Sequence, residues 1–78
     1  MLIPGSENKK IIYLLIKITR INSIELVEGI NDHFVNGLSV SECAVKYNVD
    51  RSNLYRMKRR IEMIDNYYDQ IMRIKCGL

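Results

Sequence analysis

The stretch SVSECAVKYNVDRSNLYRMKRR, Ser39 to Arg60, holds two helix starts separated by a tight turn. Ser39 and Glu42 have the spacing of a capping box, in which each side chain satisfies the other residue's free backbone N–H at a helix start. Val40, Cys43, Ala44 and Tyr47 then recur at intervals of three and four and form one face. Ala44 is small enough to let a second helix cross closely. Asn48 is the residue other than glycine best able to adopt positive φ, Val49 plugs the turn, and Asp50 caps a second helix. That helix buries Leu54, Met57 and Ile61. Ser52, Tyr55, Arg56 and Arg59 fall on its opposite side, flanked by Arg51, Asn53, Lys58 and Arg60. A short helix, a tight turn and a basic second helix make the pattern of a helix-turn-helix that docks on DNA.

The charge distribution points the same way. Lys46 to Arg60 contains six basic residues against Asp50 alone, a local net of +5, and the other six basic and eight acidic residues give −2. The overall +3 is modest, so the footprint for a polyanion lies in this one segment. A solvated surface helix can be equally basic. This face differs in mixing several kinds of donor and in starting at a tight turn after a short helix.

Working outward, Met1 to Ser6 holds the only proline and reads as an arm or turn, with Ser6 as the expected cap of a first helix. Ile11, Leu14, Leu15 and Ile18 make a helical stripe. Ile12, Leu14, Ile16 and Ile18 also alternate as in a strand, but the chain offers no second strand to pair with it. Ile12 and Ile16 lie beside the main stripe, leaving Tyr13, Lys17 and Arg20 as the polar arc. A helix this apolar should be covered on two sides, one of them a candidate subunit contact. Asn22 and Glu25 are spaced as the capping box of a second helix, with Val27, Ile30 and Phe34 inward, Glu25, Glu28 and Asp32 outward, and Asn36-Gly37 as its stop. Late in that helix, His33 is expected to be exposed or at the core edge. Beyond Ile61 the stripe continues through Ile64, Tyr68, Ile71 and Met72, with Tyr67 and Ile74 beside it. Asp65 and Asn66 could cap a fresh helix there.

The expected fold is therefore all-α, a small domain of about five helices around a central helix-turn-helix. A chain of 78 residues has room for one core, and with no Trp and 8% aromatic residues that core is built from Ile, Leu, Val and Met. The single domain spans 1–78: arm and apolar helix at 1–22, helix-turn-helix at 39–60, C-terminal helix at 61–78. Cys43 and Cys76 with one histidine have no zinc-site spacing, so no metal or cofactor is expected, and a buried thiol at Cys43 is the simpler account. Lys9, Lys10, Lys17 and Arg20 bracket the apolar run too closely for a membrane span, and no signal-peptide cleavage site is visible. A cytoplasmic, nucleoid-associated protein is expected.

With these residues in view, the chain resembles the PapB family of adhesin (fimbrial) biosynthesis regulators. Leu2-Ile3-Pro4-Gly5-Ser6 is similar to that family's opening. The run Ile12 to Ile16, Ile21 to Ser23, and Cys43-Ala44-Val45-Lys46-Tyr47 correspond to later blocks. Asp50 to Arg60 departs from the family pattern and is more basic, which leaves target sequence and sign of regulation open. The resemblance implies an all-α DNA-binding regulator of a fimbrial or adhesin operon, acting on AT-rich DNA as an oligomer.

In that role the first helix of the motif would lie across the DNA backbone, with Ser39, Ser41 and Lys46 near phosphates. The second would present Arg51, Ser52, Tyr55 and Arg56 to base edges and Lys58, Arg59 and Arg60 to flanking phosphates, with Asn53 a further DNA-binding residue beside them. Arginine suits guanine in the major groove and also narrow AT-rich minor grooves, so the groove stays open. One short helix offers few base contacts, so a homodimer or larger array is expected, through Ile11, Ile12, Leu15, Ile16, Tyr67, Tyr68 and Ile71. Two rivals are a protein-interaction module that restrains a larger transcription regulator and a DNA-binding piece of a transposase or recombinase. An enzyme is not expected: one histidine, no paired carboxylates and no glycine-rich phosphate loop leave no catalytic constellation to nominate.

Overall fold

Four capped helices account for most of the chain in a computed structural model that describes residues 1–77: α1 Lys9–Thr19, α2 Ile24–Asn36, α3 Val40–Tyr47 and α4 Arg51–Cys76. No strand occurs among the described residues. Each helix starts where a side-chain oxygen meets an unpaired backbone N–H. Asn8 Oδ1 accepts from Lys10 N at 2.8 Å and Ser23 Oγ from Leu26 N at 3.4 Å. Asp50 Oδ1 accepts from Ser52 N at 2.7 Å and Asn53 N at 3.3 Å. The box at Ser39 is complete, with Glu42 N donating to Ser39 Oγ at 3.1 Å and Ser39 N to Glu42 Oε1 at 3.4 Å. The first two caps thus fall at Asn8 and Ser23 rather than at Ser6 and Asn22. Asn48 adopts φ 53° between α3 and α4, as its position after Tyr47 demands.

α2 packs against all three other helices. Ile12, Ile30, Phe34, Cys43, Leu54 and Ile61 are fully enclosed between them. Gly29 sets the closest approach of α2 to α4: a Cβ there would lie 3.1 Å from Leu54 Cδ1 and 3.8 Å from Tyr47 Cδ2. The N-terminal arm is tied to the end of α2. Gly5 N and Glu7 N both donate to Phe34 O, at 2.9 and 3.1 Å, and Leu2 is buried. Gly5 and Gly37, with φ of 84° and 82°, stack backbone on backbone, and a Cβ on Gly5 would stand 3.2 Å from Gly37 Cα.

Two expectations are corrected. Among the described residues there are four helices rather than five, because α4 runs through Asp65 and Asn66 without a break. No glycine or proline interrupts the chain between Asp50 and Gly77, and Ile61, Ile64 and Tyr68 stay in helical phase across the supposed boundary. The buried line of α1 is also displaced by one residue. Ile12, Leu15, Ile16 and Thr19 face the core, whereas Ile11, Leu14 and Ile18 face outward, Leu14 at 62% exposure. A helix apolar on nearly every side does not reveal its inner face by hydrophobicity alone.

The displaced line is open to test. Leu15→Glu places a carboxylate in the enclosed core and should abolish the cooperative thermal transition. Leu14→Glu should shift stability by no more than about 0.5 kcal/mol. Thermal melts followed by circular dichroism separate the two; equal destabilisation would contradict this phase for α1.

Candidate nucleic-acid interface

The start of α4 carries the basic face that the sequence places there. Leu54 and Ile61 anchor the helix from beneath, so Arg51, Ser52, Asn53, Tyr55, Arg56, Arg59 and Arg60 stand exposed. Arg51, Ser52, Tyr55 and Arg56 border one shallow depression. Arg56 Nη2 donates to Asn53 Oδ1 at 3.2 Å, which holds the guanidinium near the helix start. Lys58 is half-buried; its ammonium lies 3.4 Å from Glu62 and 5.5 Å from the centre of the Tyr55 ring. Among the described residues Arg51, Arg56, Arg59 and Arg60 make no ion pair, so four guanidinium groups remain available to an external anion.

The three candidates on α3 fare differently. Ser41 is exposed beside Leu38, Glu42, Val45 and Lys46. Ser39 is occupied by its capping box. Lys46 is drawn back across α2: its ammonium sits 2.8 Å from Asp32 Oδ2, and the Tyr47 hydroxyl donates to the same oxygen. The other carboxylate oxygen of Asp32 accepts from Asn36 Nδ2 at 2.6 Å. Asp32, expected on the outer side of α2, is therefore buried at the α2–α3 contact. The Lys46 ammonium and the Tyr47 hydroxyl hold its carboxyl at about 2, outweighing the upward push of burial. The same contacts raise Lys46 and Tyr47. Lys46 thus serves first to fix α3 against α2. No local pattern could have revealed this, because the partners are 14 residues apart on different helices.

His33 takes the inner of its two expected placements: it is buried beside Phe34 and pairs through Nδ1 with Leu38 O at 2.7 Å. The Cys43 thiol is fully enclosed, and burial pushes it up, which makes it a core residue rather than a reactive one. No group of histidine, cysteine and carboxylate side chains suited to a metal ion occurs among the described residues. Nor is any described helix long and apolar enough to cross a membrane.

The residues nominated for subunit contact are divided. Ile12, Leu15 and Ile16 are buried in the chain's own core, Ile12 completely, while Leu15 and Ile16 also reach the floor of apolar surface depressions beside α1. Ile11, Tyr67, Tyr68 and Ile71 are exposed. Ile11 and Tyr68 border an apolar groove between α1 and α4 with Leu14, Leu15 and Ile18, edged by Lys17 and Asp65.

With this geometry established, comparison with known families is decisive at one point: the family model described as adhesin biosynthesis transcription regulatory protein, PapB, matches residues 1–75. The chain belongs to the PapB family. Membership makes it a transcription regulator of adhesin or fimbrial operons. The match spans the arm, all of α1 to α3 and α4 up to Lys75, so the PapB assignment covers the core and the basic face together. No curated protein and no solved structure matches the chain.

The Asp32 contact makes a pH prediction for this PapB-family chain. A carboxyl whose folded value lies below its ordinary 3.8 stabilises the fold above that ordinary value and loses the contribution as pH falls toward about 2. At neutral pH Asp32→Ala should therefore cost roughly 1–3 kcal/mol, because the Lys46 and Tyr47 donors lose their acceptor. The gap between variant and parent should narrow in denaturant titrations from pH 5 down to pH 2 (approximate limits set by linkage). A gap independent of pH would show that the carboxylate charge is not what joins α2 to α3.

Proposed function

We propose that the chain regulates its operon by binding double-stranded DNA through a helix-turn-helix made of α3, the turn at Asn48 to Asp50, and the first three turns of α4. The observation that carries this reading is the cluster of exposed, unbridged arginines on the first turns of α4, opposite the buried Leu54 and Ile61. Arg51, Ser52, Asn53, Tyr55 and Arg56 face the base edges, and Arg59 and Arg60 extend the contact along the phosphates. Lys58 contributes from the flank when it exchanges Glu62 for a phosphate. On α3, Ser41 is free to meet the backbone. Lys46 acts mainly by fixing the angle between the helices through Asp32, and Ser39 by starting α3.

The sites we assign are AT-rich promoter segments, a preference that rests on the family resemblance and on the affinity of arginine for narrow minor grooves. Seven or eight side chains on the first turns of one helix give limited discrimination, so operator binding by more than one copy follows, in the cytoplasm and on the nucleoid. The apolar groove edged by Lys17 and Asp65 supports a second reading, in which the domain docks on another regulator. The two differ in their response to salt.

Binding to AT-rich promoter DNA measured across a salt series tests the proposal. Phosphate recognition predicts that log affinity falls linearly with log salt; replacing Arg59 and Arg60 by Ala should reduce the slope by about 1 to 2, whereas replacing Arg51 and Arg56 together by Ala should lower affinity across the whole salt series. Arg56→Ala alone should cost roughly 1–3 kcal/mol and relax sequence discrimination. Unchanged affinity in the Arg51 and Arg56 double variant would remove α4 from the interface. A salt-independent interaction with a protein partner would favour the second reading.

A further inference from the structure

The far half of α4 meets the rest of the chain on one side, where Asp65 and Asp69 pair with the Met1 amino group at 3.3 and 2.7 Å, and is uncovered on the other. On the uncovered side, Tyr67, Ile71 and Ile74 are 56%, 45% and 80% exposed. Together with half-buried Ile64 they form a line with spacings of three, four and three residues, the repeat by which one helix packs along another. This spacing reads the same in both directions about Asp69. A second copy laid antiparallel would therefore meet it in four matched layers: Ile64 on the partner's Ile74, Tyr67 on the partner's Ile71, and the two reciprocal pairs.

We propose that residues 64–74 of α4 are the seam of a twofold antiparallel dimer with a second copy of this chain. Three observations select that occupant. The line is its own complement, as a twofold contact requires. Complete covering of the line with neighbouring Met63 and Tyr68 removes at most about 600 Å² from each copy, the low end for a specific pair. The third is direction. At about 100° per residue the seam lies roughly a quarter turn from Leu54 and Ile61, which face the body, and a quarter turn on the other side from Ser52, Tyr55, Arg56 and Arg59. A twofold axis perpendicular to both helices then keeps both bodies on one side and both basic faces on the other.

The axis lies about 14 residues from the centre of each basic face, so the two faces stand about 40 Å apart along the paired helices. That is close to the 34–36 Å between half-sites one turn of DNA apart. This consequence rests on the DNA reading above; the seam itself does not.

Sedimentation and pulsed electron paramagnetic resonance, both without DNA, test the seam separately from DNA binding. The full chain should dimerise reversibly. Ile71→Glu should weaken the dimer by about tenfold or more, while its circular dichroism melt stays close to that of the parent. Leu14→Glu, on the other exposed apolar face, should leave the dimer intact. Spin labels on Ser52→Cys and on Lys75→Cys, each in a Cys76→Ser background, should be separated by about 50 Å and about 20 Å across the dimer. Two short distances would mean parallel helices. Dissociation by Leu14→Glu but not by Ile71→Glu would move the contact to the α1 groove. Either result, or a monomeric parent chain, overturns the proposal.

Discussion

A single carboxylate holds the short helix of this domain in place. α3 has only eight residues, too few to be stable alone, and it encloses just Cys43 and Ala44 completely. Asp32 supplies what that small apolar contact lacks, since Lys46 and Tyr47, from the last turn of α3, both reach its carboxylate. A burial cost is met by a cation, a hydroxyl and the Asn36 amide converging on one group. The angle between α2 and α3, and through Leu54 the seating of α4, depends on that convergence.

The local chemistry of the chain was readable in advance, and its long-range choices were not. Ser39, Glu42, Asn48 and Asp50 act on atoms within a few residues, so spacing alone located α3, its turn and the start of α4. The same holds for Gly37 at the end of α2. The inner face of α1 depends instead on which of several isoleucines and leucines meets Phe34 and Ile61, a choice made by distant residues. Asp65 and Asn66 are able to begin a helix but are equally tolerated inside one when the apolar line on either side stays in phase. Asp32 looked like a surface acid because the residues that bury it belong to another helix.

For the candidate interface this division has a clear effect. The α4 residues were legible because their exposure follows from one anchored helix, and the structure leaves all but Lys58 open to solvent. On α3 the same logic named Lys46, whose charge is spent inside the domain. A lysine at a helix end can serve a phosphate or a buried acid equally well, and only the packing of α2 decides between them. The subunit-contact candidates divide for the same reason, into buried residues of α1 and exposed residues at Ile11 and on α4.

The stacked glycines of the arm bear on how sequences of this kind can diverge. Gly5 and Gly37 each have positive φ, and each would drive a Cβ into the other's backbone, at 3.2 and 3.3 Å. A larger residue at either position cannot be accommodated by shrinking its neighbour, because that neighbour already has no side chain. No compensating pair exists, so drift at these two sites is blocked jointly as well as singly. Pro4 and Ser6, both exposed, have no such limit. The chain's opening can therefore vary around a fixed glycine without losing its hold on the end of α2.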